Sequence, residues 1–220
     1  VQRALVSMRE DFRASRKKEY ETRPKHRTGL FEHAYDIKVP DEVWKQTADH
    51  VGKCLATFYR SETFAMIRDL PRDRWLEVEE LSLFRVEGIK VYARLDFSCR
   101  EGDGVRIFDW KTGRSENVDH TVQMACYALY AMHAWGVEPA QVEVFEYNLA
   151  SDTIRPHRVT QEGVEETRDY IAASAGEMQI VLDDPEANAA SEEQFDMAED
   201  EYTCRTCPFL EVCPKWGGAK

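Results

Sequence analysis

The stretch VRIFDWKTG, residues 105–113, decides how the rest of the chain is read. Val105, Ile107, Asp109 and Lys111 share one face of an extended segment, because side chains of a strand alternate with a period of two. That face begins apolar and ends in an acid and a base, and the Thr112-Gly113 pair that follows stops the strand. Upstream lies a second apolar run, Val91–Phe97, which carries a single acid, Asp96. The spacing predicts Asp96 and Asp109 on adjacent strands of a hairpin, with their carboxylates converging.

Working outward, Trp75–Val86, Ile89–Cys99 and Val105–Trp110 are predicted as a three-stranded antiparallel meander, turned at Gly88 and at Glu101-Gly102-Asp103-Gly104. A helix over Asp119–Trp135, ended by Gly136, comes next. Val142–Leu149 and Thr153–Val159 are predicted as a second hairpin, and Glu162 to about Leu182 as a helix. Before the meander, Leu5, Met8 and Phe12 mark a helix in the first 15 residues. Asp41 starts another that is expected to run to about Arg68, where Pro71 ends it. The fold class this implies is α/β, with a central mixed sheet flanked by helices. The expected organisation is an N-terminal helical region (1–70), a core (71–182), an acidic linker (183–201) and a cysteine-rich tail (202–220).

The chain has 220 residues, of which 43% are hydrophobic and 32% charged. That suits one fair-sized domain with a small appendage. No apolar run approaches the ~18 residues of a membrane span, and no secretory pattern opens the chain, so a cytoplasmic location without membrane contact is expected. The net charge of −12 argues against wholesale electrostatic capture of nucleic acid. The charge is uneven, however: residues 1–30 hold nine Lys/Arg against four acids, and residues 183–201 hold nine acids and no base. Residue 1 is Val and lies in a helical run, which is expected of a fragment or a processed form.

Two carboxylates and a lysine at the end of one strand pair suit phosphodiester hydrolysis. A divalent cation such as Mg²⁺ takes one or two carboxylates plus waters, polarises the phosphate and activates a bound water. A lysine beside it can orient that water or offset developing charge. Gln123 and Tyr127 stand four apart on the next helix, on one face, placed to point back at the same site. At the other end of the chain Cys204-x-x-Cys207-Pro208 and Cys213-Pro214 give a C-x2-C-x5-C pattern that points to metal or cluster ligation, with Tyr202, Phe209 and Trp216 as apolar cover. Cys54, Cys99 and Cys126 read as buried structural thiols.

The series Leu95-Asp96, Ile107-Phe108-Asp109-Trp110-Lys111-Thr112-Gly113 and Gln123-x-x-x-Tyr127-Ala128 resembles the core of the PD-(D/E)xK nuclease superfamily, in particular its RecB-like branch. The resemblance covers roughly residues 75–216. It implies a restriction-endonuclease-like core in which Asp96 and Asp109 bind Mg²⁺ or Mn²⁺, Lys111 is the catalytic lysine, and Gln123 and Tyr127 assist. The tail is similar to the C-terminal part of the iron–sulfur clamp of AddB-type nucleases and CRISPR-associated exonucleases of this branch. By that resemblance Cys204, Cys207 and Cys213 would join an N-terminal cysteine around a 4Fe–4S cluster, with zinc as the alternative. Leu95 stands where the branch often has Pro. The branch also carries an upstream His, and Gly29-Leu30-Phe31-Glu32-His33 matches its context only superficially, because a long helix and Pro40 intervene. The expectation is that this His and the fourth Cys preceded Val1, leaving His26 and His33 at the surface.

The expected function is thus a metal-dependent DNA nuclease, exonuclease-like, acting on single-stranded DNA or free ends in repair, recombination or CRISPR-type processing, with a helicase or a CRISPR or repair protein as partner. The alternative is a non-catalytic module that holds DNA or a partner. Retention of Asp96, Asp109 and Lys111 together favours the enzyme.

Overall fold

The computed structural model describes residues 1–114 and 119–215. In chain order the elements are α1 (Gln2–Arg16), α2 (Glu19–Thr22), α3 (Phe31–Ala34), α4 (Asp41–Arg60), α5 (Glu62–Asp69), β1 (Trp75–Glu77), β2 (Leu81–Val86), β3 (Ile89–Arg94), β4 (Phe97–Glu101), β5 (Gly104–Lys111), α6 (Thr121–Trp135), β6 (Val142–Asn148), β7 (Thr153–His157), α7 (Gln161–Ile180) and α8 (Glu201–Arg205). They fall into two units, one of residues 50–180 and one of residues 1–49 with 181–220.

The unit of residues 50–180 is built on a five-stranded mixed sheet of order β1-β4-β5-β6-β7. All its pairings are antiparallel except β5 with β6, which is parallel and reached through α6. Strand alternation sends Val105 and Ile107 of β5 and Val142 and Val144 of β6 to one face, where Met124, Tyr127 and Ala128 of α6 and Val164 of α7 cover them. The opposite face presents Phe97, Cys99 and Phe108, packed on Ile67 of α5, and Tyr147, packed with Cys54 of α4. This is the α/β arrangement expected, a mixed central sheet with helices on both sides.

Two expectations about continuity need correction. The helix from Asp41 does not run unbroken to Arg68. The Ser61 hydroxyl donates to the Phe58 carbonyl and accepts from the Phe64 amide, ending α4 and capping α5 in one residue. The meander is not a single three-stranded sheet either. The predicted strands 75–86 and 89–99 each break, at Val78–Glu80 and at Leu95-Asp96, and the breaks face each other. Glu79 adopts a left-handed conformation (φ 54°), and its amide donates to the Leu95 carbonyl at 2.9 Å. Below the kink β1 pairs with β4 in the main sheet, whereas above it β2 pairs with β3 as a separate two-stranded ribbon. Asp96 therefore sits in neither strand but at the kink, immediately before β4.

The α6 helix ends as its sequence dictates, on Gly136 in the left-handed region (φ 62°), whose amide bonds back to Met132. In the other unit, α1 turns Phe12 toward Trp44 and His33, whose rings meet within 6 Å of one another. His33 is half-buried rather than a surface residue. Its Nδ1 is 2.9 Å from the Oγ of fully buried Ser15, which also accepts from the Leu30 amide. His26 is exposed.

Candidate active site

Each site residue is positioned by its own element. Asp109 and Lys111 are at the C-terminal end of β5, where the sheet's apolar layer gives out. Asp109 is 2% exposed. Lys111 Nζ lies 2.7 Å from Asp109 Oδ2 as an ion pair but off the direction of a hydrogen bond, which leaves that buried oxygen without a hydrogen-bond donor. Lys111 instead donates to Gln123 Oε1 at 2.8 Å. Gln123 donates to the Tyr127 hydroxyl at 2.8 Å and approaches Asp109 Oδ1 at 3.5 Å, and Tyr127 donates to that same oxygen at 3.3 Å. The four-residue spacing on α6 thus closes a ring of contacts: lysine, glutamine, tyrosine, aspartate.

Asp96 enters from the kink. Phe97 of β4 pairs with Phe108 of β5, so one step earlier Asp96 comes opposite Asp109. Its Oδ2 accepts the Trp110 amide at 2.7 Å. Burial pushes the Asp96 carboxyl up to about 6. The Trp110 hydrogen bond opposes this, the charges of Asp109 and Glu79 add to it, and Lys111 works against it. Tyr127 is pushed well above the ordinary phenol range, first by burial and then by the Asp109 charge, so it stays a neutral donor.

These features fit a hard divalent cation. A buried carboxylate, Asp109, and a half-buried one, Asp96, come together; the first has an oxygen outside any hydrogen bond, and the second is costly to ionise without a neighbouring positive charge. The protein side supplies two such ligands here. Among the described residues no three His, Cys, Asp or Glu side chains are grouped to hold a metal. Two carboxylates with water and phosphate oxygens complete the coordination Mg²⁺ commonly takes.

Two further acids, not expected from the sequence, lie beside the site. Glu79, exposed at the kink, acts on Asp96 through its charge. Glu146 of β6 is the register partner of Asp109 and is 5% exposed. His120, the residue capping α6, donates from Nδ1 to Glu146 Oε2 at 2.7 Å, and Arg155 of β7 lies 3.9 Å from Oε1. Asp96, Asp109 and Glu146 thus form a row across three neighbouring chain segments. Asp109 and Glu146 are each signalled by an acid where an apolar alternation would continue, as in Val105-x-Ile107-x-Asp109 and Val142-x-Val144-x-Glu146.

The tail cysteines are arranged differently from their spacing's suggestion. Cys204 is buried with Sγ 3.7 Å from the Ala198 carbonyl, Cys207 Sγ accepts the Phe209 amide, and Cys213 is half-buried. The three thiols do not converge as one ligand face. The Tyr35 hydroxyl donates to the Pro208 carbonyl at 2.6 Å, tying the tail to the N-terminal part of the same unit. Trp216 lies outside the described residues. Cys54 and Cys99 are buried, whereas Cys126 is only half-buried.

The family model described as "PD-(D/E)XK nuclease superfamily" matches residues 9–214. Among solved structures, the crystal structure of SSO0001 is similar at 15% identity and TM-score 0.39, over 93% of this chain and 96% of that one. The "Putative exonuclease" from Eubacterium rectale is similar at 14% identity and TM-score 0.40, over 79% of this chain, which spans 65% of that protein's chain. No curated protein matches the sequence.

Proposed function

The chain belongs to the PD-(D/E)XK nuclease superfamily, and on that premise we propose that it is a divalent-metal-dependent deoxyribonuclease of the RecB-like type, exonuclease-like, with Asp96, Asp109, Lys111, Gln123 and Tyr127 as its site. The observation that carries this is the buried Asp109 carboxylate, held by Lys111 and Tyr127 and still one donor short. Asp96 and Asp109 would hold Mg²⁺ or Mn²⁺. When bound, the cation polarises the phosphate and lowers the pKa of a water. The chain's own side chains do the rest. Lys111, kept in place by Gln123, sets a fixed positive charge where charge builds up on the phosphate. Tyr127 keeps its proton and donates to Asp109 Oδ1, while Lys111 pairs with Oδ2. Gln123 links the two, so the lysine and the aspartate cannot shift independently.

The test is incubation of end-labelled single-stranded and duplex DNA with the full chain and Mg²⁺ or Mn²⁺. Shortening of the labelled strands is expected, and its loss in Asp109→Ala. Cleavage that persists in Asp109→Ala would remove the site assignment, and no cleavage by the native protein would remove the nuclease reading.

A second part of the proposal concerns the tail. The C-x2-C-x5-C spacing supports ligation of a 4Fe–4S cluster, or of zinc, by Cys204, Cys207 and Cys213. The present arrangement of the thiols would have to close for that to happen, and no step of the reaction is routed through it. Anaerobic purification with elemental analysis decides it. Iron with absorbance near ~400 nm, lost in Cys204→Ala, is expected for a Cys-ligated cluster; a metal-free protein would rule ligation out. The reading extends to a role in DNA repair, recombination or CRISPR-type processing beside a helicase or another such partner.

A further inference from the structure

The β2–β3 ribbon has one face inside and one face outside. Ser82, Phe84 and Val86 alternate with Leu81, Leu83 and Arg85, while Ile89, Val91 and Ala93 alternate with Lys90, Tyr92 and Arg94. The first set faces inward, where Phe84, Val86 and Ala93 are buried in the core with α6 residues. The second set is exposed throughout.

That outer face is unusual for a chain with net charge −12. Its cross-strand pairs are Leu81 with Arg94, Leu83 with Tyr92 and Arg85 with Lys90. It carries three cations and no acid; the nearest acids, Glu80 and Glu87, lie at the two ends of the ribbon. Arg85 and Lys90 are directly opposite each other, a like-charge pair that disfavours the sheet. Tyr92 is 64% exposed and Leu81 63%. Among the described residues, the side chains of Lys90, Tyr92 and Arg94 have no hydrogen-bond or ion-pair partner, and Arg85 donates only to the Gly88 carbonyl nearby. Nothing within the fold accounts for this combination.

The position of the face supplies a reason. β3 runs directly into the kink, and Arg94 is two residues from Asp96. Lys90, Tyr92 and Arg94 step toward the site at roughly 6–7 Å intervals, two strand residues each. Cations that track a backbone, with an aromatic ring and flat aliphatic surface between them, are what unpaired nucleotides bind: phosphates to the cations, bases to the π-face. We propose that the outer face of the β2–β3 ribbon is the track that carries unpaired nucleotides of the DNA strand into the site at Asp96. The inference rests on the nuclease reading and specifies its substrate as a single-stranded segment.

Binding can be read without cleavage. The parent is the full chain with Asp109→Ala, in EDTA, and the probe is a fluorescently labelled single-stranded oligodeoxynucleotide followed by anisotropy. Tyr92→Ala should weaken binding roughly 5- to 150-fold, the range of a lost base–aromatic stack, while Tyr92→Phe stays within about twofold. Lys90→Ala should weaken binding and reduce the slope of log affinity against log salt by about 0.7, one single-strand phosphate contact. Unchanged affinity in Tyr92→Ala and Lys90→Ala would overturn the inference, as would a parent that does not bind the single strand. Equal losses with a fully paired duplex would overturn it in favour of duplex binding. A change of sedimentation behaviour in the variants would assign the face to protein contact instead. With Asp109 restored, hydrolysis of the small diester bis(p-nitrophenyl) phosphate should be unaffected by Tyr92→Ala. Failure of the nuclease reading appears as no hydrolysis of DNA or diester by any protein, while failure of the track appears as unchanged DNA binding.

Discussion

Replacing Asp96 by asparagine isolates the charge of the site from its shape. The amide keeps an oxygen that can accept the Trp110 N–H, so the kink should hold. What is lost is a carboxylate whose pKa is pushed from 3.8 up to about 6 by burial, against the pull of the Trp110 hydrogen bond and with the help of Asp109 and Glu79. At ~1.4 kcal/mol per pH unit, ionised Asp96 costs the metal-free fold at most roughly 3 kcal/mol. The sign follows from proton linkage. The folded carboxyl holds its proton to higher pH than the unfolded one, so stability is greatest below about pH 4, falls as pH rises towards about 6, and is level above. In EDTA near pH 8, Asp96→Asn should therefore be more stable than the native protein by up to roughly 3 kcal/mol, and near pH 4 the two should coincide. Saturating Mg²⁺ should close the gap, since a ligand at 100 times its Kd adds about 2.7 kcal/mol to the native protein alone. Urea unfolding followed by tryptophan fluorescence reads all three conditions. A difference that is the same at both pH values, or a variant less stable at pH 8, would refute the placement of Asp96 as a half-buried carboxylate that is costly to ionise.

Lys111→Ala should cut DNA cleavage by roughly 100-fold or more, the scale of losing one preorganised electrostatic group, with Mg²⁺ affinity by calorimetry largely kept; equal loss of metal binding would make Lys111 structural. Glu146→Ala removes the acceptor of His120 at the start of α6. It should cost about 1.5–3 kcal/mol in urea unfolding and lower the cleavage rate by disturbing Gln123, whereas Glu146→Gln keeps an acceptor and should lose less. Gly104→Ala would place a Cβ 2.4 Å from the Gln141 carbonyl oxygen, where the backbone of the β6 approach cannot yield easily. A loss of about 1–3 kcal/mol is expected, and an unchanged urea midpoint would count against that close approach.

The ring of Lys111, Gln123, Tyr127 and Asp109 was within reach of the sequence because both of its spacings are local. Two residues on a strand and four on a helix bring side chains to one face whatever the surroundings, and only the meeting of the two elements had to be supplied. The end of α6 at Gly136 and the strand ending in Thr112-Gly113 are local in the same way. The kink at Glu79 and Leu95-Asp96 was not within reach. Each of the two runs is a good strand by itself, and the break exists because the Glu79 amide finds the Leu95 carbonyl 16 residues away. Glu146 was missed for a related reason. Its place beside Asp109 depends on the parallel register of β5 and β6, set by the α6 crossover rather than by any turn.

The sequence by itself determined the chemical inventory and its local geometry: an acid and a lysine two apart on a strand, a glutamine and a tyrosine four apart on a helix, and a hydrophobic alternation that orients both. Tertiary structure decided which of those groups are dry. Asp109 is left with one oxygen outside any hydrogen bond, and Asp96 and Tyr127 became harder to ionise, because α6 closes over the end of the sheet. Burial depends on what packs against a residue from far along the chain, and no spacing within a strand or a helix carries that information.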